Sequence, residues 1–164
     1  MNTFVEFINS NKLWVAPIFS FIVAQLLKYV IYAIQYKVLR KERLTGAGGM
    51  PSSHSSGVCT LITIMALTAG AASAEFAIAL VFGLVVMYDA AGVRRAAGLH
   101  AKVINVLKIS IDELDGKNDE ASQSSEPEPP ATSHRPLKEF VGHTPLEVLC
   151  GALLGVFIGY MFVL

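Results

Sequence analysis

Charge and cysteine are both scarce in this chain. Only 16% of its 164 residues are Asp, Glu, Lys or Arg, and thirteen of each sign leave no formal net charge. No nucleic-acid partner is expected from such a balance. The two cysteines, Cys59 and Cys150, form no CxxC and share no Cys/His ligand spacing, so neither a disulfide nor a zinc site is indicated. Each falls inside an apolar run, where packing as a small apolar residue accounts for it. The first twelve residues, MNTFVEFINSNK, lack the basic region of a signal peptide, and the hydrophobic run that follows is longer than a signal-peptide core. That run is therefore expected to be retained.

What the chain has in quantity is apolar sequence: 53% hydrophobic residues and a mean hydropathy of +0.52. It is too short for two ordinary domains and too apolar for an ordinary soluble one, which points to a single all-α integral membrane domain over 1–164. Leu13 to Tyr36 is 24 residues, about 36 Å as helix, interrupted only by Gln25, Lys28 and Gln35. Pro145 to Leu164 carries one charge, Glu147, near its start. Between them Ser55 to Ala72 and Ala74 to Ala91 form two shorter Ala- and Gly-rich runs that meet at a turn near Gly70. The expectation is a compact bundle of about four transmembrane helices, with a re-entrant hairpin as the alternative for the middle pair.

Basic residues set the orientation. Lys37, Arg40, Lys41 and Arg43 follow the first run; Arg94, Arg95, Lys102 and Lys108 follow the third; Arg135 and Lys138 precede the fourth. The turn from Thr68 to Glu75 has none. By the positive-inside rule both termini face outward and the basic loops face the cytoplasm, in a plasma (inner) membrane or an organelle membrane. Residues 1–110 hold ten Lys and Arg against four Asp and Glu, and residues 111–164 hold three against nine. The acidic excess lies largely in a polar, proline-bearing, aromatic-free stretch, and residues 116–134 are expected to be a disordered cytoplasmic loop. Just before it, Val93 to Leu114 places Leu99, Val103, Val106, Leu107 and Leu114 near one helical face. That pattern fits an amphipathic helix on the membrane surface, and fits equally a helix packed over the mouth of the bundle.

Two polar stretches interrupt the apolar sequence. In GAGGMPSSHSSG, Gly46 to Gly57, Ser52 and Ser53 sit where a helix begins, able to cap it, and its unpaired N–H groups attract anions. In GHTPLEV, Thr144 has the position of an N-cap, Pro145 of a first-turn residue and Glu147 of a capping-box partner. His54 and His143 thus start two helices on the same membrane face, with Arg94 and Arg95 leaving a third segment beside them. The pattern points to a phosphate-type site. Each residue also has a plainer role: the serines, Thr144 and Pro145 as caps, and the arginines as topology markers or partners of a helix C-terminus. Lys28 is the costliest intramembrane residue, with Asp89 or a bound phosphate as partner.

These stretches carry a resemblance. PSSH at Pro51 to His54 and GHTPLE at Gly142 to Glu147 resemble two signature motifs of the phosphatidic acid phosphatase and vanadium haloperoxidase superfamily, usually PSGH and SRxxxxxHxxxD. With YDAAGVRRAAG and GHTPLEVLCGALLG the chain is similar to its small, divergent branch. The resemblance implies that His143 attacks phosphorus, that His54 protonates the departing alkoxide, and that Glu147 orients His143. It further implies that backbone N–H groups near Ser52 and Ser53 hold the phosphoryl oxygens, with neither metal nor other cofactor.

Two departures stand out. No KxxxxxxRP motif precedes PSSH, and Leu137 occupies the position of the arginine expected six residues before His143. Lys28, Arg94 and Arg95 are the cations left to bind phosphate. Glu147 has two competing tasks, capping Thr144 and orienting His143, which the sequence does not reconcile. Gly151, Gly155 and Gly159 form a stripe that permits close helix contact, within the bundle or in a homo-oligomer. The expected function is a membrane lipid phosphatase acting on a lipid phosphate of the cytoplasmic leaflet. The alternatives are a catalytically silent lipid-phosphate binder or carrier, and a structural membrane protein that uses both stretches only as caps.

Overall fold

In a computed structural model the described residues are 2–37, 48–119, 136–137 and 141–164. They form six helices and no strand: α1 Asn2–Ser10, α2 Lys12–Tyr36, α3 Ser53–Thr68, α4 Ala74–Ala91, α5 Val93–Asp119 and α6 Pro145–Met161. Caps mark the starts. The side chains of Ser52, Ser73 and Thr144 accept the amides of Ser55, Phe76 and Glu147, opening α3, α4 and α6. Gly70, at φ +91°, turns the chain between α3 and α4, a conformation that side-chain-bearing residues rarely adopt.

Helix α3 is the centre of the bundle. Gly151, Gly155 and Gly159 of α6 lie against Ser52, Ser56 and the Thr60–Thr63 turn of α3 in turn, so the two helices run parallel. A Cβ at Gly155 would overlap the Ser56 carbonyl and lie 2.9 Å from Cys59 Cβ. Thr60 Oγ1 donates across this contact to the Gly155 carbonyl at 3.0 Å. The glycine stripe is thus consumed within the chain. Helix α2 runs antiparallel to α3: Ser20 and Ser56 share a buried 2.6 Å hydroxyl pair, and Phe21 stacks edge-on against His54. Helix α4 is also antiparallel, with Gly83 on Ile62 and Met87 on Cys59. The N-termini of α3 and α6 and the C-termini of α2 and α4 therefore meet at one end.

Helix α2 buries one narrow stripe, Ala16, Ser20, Ala24 and Lys28, at four-residue spacing. Most large apolar side chains instead face outward, among them Ile22, Leu26, Ile78, Val81, Leu153 and Phe157, each at least 50% exposed. A surface this apolar is suited to lipid rather than water. Among the described residues two helical stretches are long and apolar enough to cross a membrane, Lys12–Gln35 and the run Ala74–Ile111 that continues from α4 into α5. Helix α3, with 16 residues, and α6, with 17, are shorter.

Three expectations are revised. The N-terminal stretch, for which the sequence offered no helix, contains helix α1. Helix α5 extends to Asp119, so residues 116–119, assigned above to a disordered loop, are helical; 120–134 lie outside the described residues. Of the described apolar side chains of α5, Leu99, Val103, Val106 and Leu107 are all more than half exposed, and between Val93 and Ile111 the buried residues are Gly98 and Ala101; the side chain of Leu114 lies outside the described residues. Asn105 holds the chain on its return, exchanging two 2.9 Å hydrogen bonds with the Leu137 backbone.

Candidate functional site

The end where α3 and α6 begin carries three adjoining cavities. The first, about 260 Å³, is lined by His54, Asp89, Arg94, Gly142 and His143 with Val85 and Val86. The second, about 430 Å³, lies between α2 and α6 and holds Lys28, Gly49, Thr144 and Glu147. The third, about 270 Å³, bridges them through Gly49, Arg95, Lys102, His143 and Glu147. The structure therefore brings His54, His143 and Arg94 to one cavity, with Lys28 and Arg95 in the neighbouring two.

His143 is fixed from both sides. Its amide donates to the Ala90 carbonyl at the end of α4, 2.9 Å away, and its ring is 3% exposed. Gly142, at φ +86°, lets the backbone lie on that of Arg94 and Arg95, where any Cβ would collide. Ring Nδ1 lies 3.0 Å from Glu147 Oε2, so with the proton on Nδ1 the lone pair stands on Nε2. Nε2 is buried without a hydrogen-bond partner. Burial holds the imidazole below its ordinary value and Lys28 adds to this, while Glu147 and the Gly49 backbone oppose it. The neutral ring is the form that burial favours.

Glu147 makes both of the contacts that the sequence set in competition. The same Oε2 that meets His143 also accepts the Thr144 amide at 3.1 Å, and Thr144 Oγ1 accepts the Glu147 amide at 3.3 Å. Both contacts are possible because His143 and Thr144 are adjacent in the chain and both lie one helical turn before the carboxylate.

The serines divide. Ser52 is engaged by the fold: its amide donates to the Glu147 carbonyl at 3.0 Å, tying α3 to α6, and its hydroxyl meets Ser55 N and Oγ. Its own amide is spent, which corrects the role expected of it. The first-turn amides of Ser53 and His54 precede the first intrahelical bond of α3 and have no helical acceptor one turn back.

Lys28 is 4% exposed, and its Nζ has no hydrogen-bond partner. Gly49, at φ +101°, passes so close that a Cβ there would lie 3.3 Å from Lys28 Cγ. The carboxylate acting on Lys28 is Glu147. The expected pairing with Asp89 is not found, because Asp89 is bonded to Arg94 Nε. Two buried nitrogens without partners, Lys28 Nζ and His143 Nε2, are costly unless a ligand completes them. Among the described residues no cluster of three His, Cys, Asp or Glu suits a metal ion. Asp89 stands near the end of the third apolar run as expected, but it meets Arg94 and lines the first cavity rather than pairing with Lys28; its spacing of five to Arg94, across Gly92, was the available signal.

The chain matches the Divergent PAP2 family over residues 9–158 and belongs to it. It is also similar to YuiD of Bacillus subtilis (strain 168), described as an uncharacterized membrane protein, with 39% identity over 137 residues and 84% of each chain covered. No solved structure gives a match.

Proposed function

We propose that this membrane protein is a metal-independent phosphatase of a phosphorylated membrane lipid. The observation that carries the proposal is His143: buried, bonded through Nδ1 to Glu147, with Nε2 unpartnered beside the cavity it shares with His54 and Arg94. Nε2 attacks phosphorus as the bond from phosphorus to the lipid oxygen breaks, and His54 gives that oxygen its proton. Water then attacks the phosphohistidine, returns its proton to His54 and releases phosphate. Arg94, the Ser53 and His54 amides, and Lys28 from the adjoining cavity stabilise the charge that develops on the phosphoryl oxygens. Glu147 keeps the Nδ1 proton in place and steadies the cationic ring after attack.

The exposed apolar surface supports a bundle of four spans, α2, α3, α4 and α6, and the basic segments favour a site on the cytoplasmic face. In this reading the α2–α6 groove around Lys28 is the lateral path for a lipid.

The decisive experiment is phosphate release from a panel of lipid phosphates by the detergent-purified protein and its His143→Ala variant. Turnover that a chelator leaves intact and His143→Ala abolishes is expected, with an acid-labile phosphoenzyme on rapid quench. One observation favours a second reading, a lipid-phosphate binder without turnover: the cations Arg94 and Lys28 line different cavities. Under that reading the lipids bind, Lys28→Gln weakens binding, and no phosphate is released.

A further inference from the structure

Asp89 stands where helix electrostatics disfavour it. It occupies the last turn of α4, at the negative end of the helix dipole, where a cation rather than a carboxylate is stabilised. Its partner is Arg94, in the first turn of α5 beyond Gly92. The two side chains are 38% and 53% exposed, and a pair that open to solvent adds little stability. Stability therefore gives no account of a carboxylate here, whereas the cavity does: Asp89 and Arg94 both line it, together with His54 and His143.

The atoms that pair decide the consequence. Asp89 Oδ2 accepts from Arg94 Nε, and among the described residues no other hydrogen bond holds the guanidinium. A guanidinium is planar and rigid, so a bond at Nε fixes its plane while the edge formed by the two terminal nitrogens keeps its donors. That edge matches two oxygens of one phosphoryl group. Without Asp89 the arginine would sample many rotamers in an open cavity, and ordering it would fall to the ligand.

We propose that Asp89 is a positioning residue: it holds Arg94 by Nε so that the terminal fork meets two oxygens of a phosphomonoester beside His143. This rests on the lipid-phosphate reading above and adds to it a carboxylate that touches arginine rather than substrate.

The test uses the full chain in detergent as wild type, Asp89→Asn, Asp89→Glu, Arg94→Ala and the Asp89→Asn/Arg94→Ala double variant. Inorganic phosphate binding is measured by calorimetry, and KM and kcat with a phosphorylated lipid in mixed micelles. Asp89→Asn is expected to weaken phosphate binding about tenfold and to lower kcat/KM by at least as much, because the misplaced fork serves both the bound phosphate and the charge that develops on it. Asp89→Glu recovers part of the loss, which excludes misfolding as its cause. The double variant binds no more weakly than Arg94→Ala alone, because Asp89 acts through that arginine. Unchanged phosphate affinity in Asp89→Asn, a fall confined to kcat, or additive losses in the double variant would each overturn the proposal. A wild type that binds phosphate but releases none from any lipid sinks the phosphatase reading alone, since the binding measurement still decides the role of Asp89.

Discussion

Glu147 Oε2 lies 3.0 Å from His143 Nδ1 and at the same time accepts the amide of Thr144. One oxygen thus joins the start of α6 to the orientation of the imidazole. The helix cannot shift its first turn without moving the ring. The Ser52 amide, bonded to the Glu147 carbonyl, carries the same constraint to α3, where His54 begins its helix. Two helix starts and two histidines are therefore registered by one residue.

Substitutions at Glu147 should separate its two tasks. Glu147→Gln keeps an acceptor for the Thr144 amide and removes the charge, so stability changes little while phosphate release falls by about 100-fold or more. Glu147→Ala loses the capping contact as well and costs about 1 kcal/mol in addition. Initial rates and denaturant unfolding in one detergent measure both.

The pH profile follows from His143. A ring held below the ordinary imidazole value stays neutral into mild acid, so the acid limb of kcat/KM falls below about 6.5. Lys28→Gln removes a positive charge that lowers this ring and should move the limb to higher pH. Glu147→Gln removes a negative charge and a hydrogen bond that raise it, and should move the limb lower. Stability has a matching dependence: the unfolded chain takes up this proton near the ordinary value, the folded chain only at lower pH. The contribution is therefore neutral above that window and destabilising as pH falls through it. Thermal unfolding in detergent between pH 7 and 5 tests the sign.

The α3–α6 seam has no room for a methyl group. Gly155→Ala is expected to destabilise by about 1–3 kcal/mol, since the Ser56 carbonyl and Cys59 must move apart. Leu153→Ala, on the exposed face of the same helix, should change stability by less than about 0.5 kcal/mol. Chemical unfolding followed by helical circular dichroism distinguishes them.

Particular residues show where the sequence was legible. Caps are local, so Ser52, Thr144 and Glu147 announced the starts of α3 and α6, and the glycine spacing of α6 announced a close contact. The convergence of His54, His143 and Arg94 followed from alternating helix direction. What was hidden depends on rotamers and on which of several charges wins. Asp89 was within reach of Lys28 or Arg94 in sequence terms, and packing chose Arg94. The spent amide of Ser52 was equally invisible, because its acceptor, the Glu147 carbonyl, lies 95 positions away. Helix α1 escaped because nine residues offer no long apolar run.

Orientation is open to a direct test, because the two ends of the bundle carry exposed positions. Lys102, beside the site, and Ala72, at the turn between α3 and α4, are both exposed, unlike Ser52, where a probe would not reach. In a chain with Cys59 and Cys150 replaced by serine, a cysteine is introduced at Lys102 or at Ala72 and treated in intact cells with a membrane-impermeant maleimide. The basic residues of α5 predict that Ala72→Cys is labelled at once and Lys102→Cys only after permeabilisation. The reverse pattern would place the histidines on the outer face, and the substrate would then have to be a lipid of the outer leaflet. Labelling of neither position before permeabilisation would mean that α3 and α4 dip into the bilayer from the cytoplasmic side and return, leaving α2 and α6 as the spanning pair. The site geometry would survive either result, since it depends on which helix ends meet and not on which compartment they face.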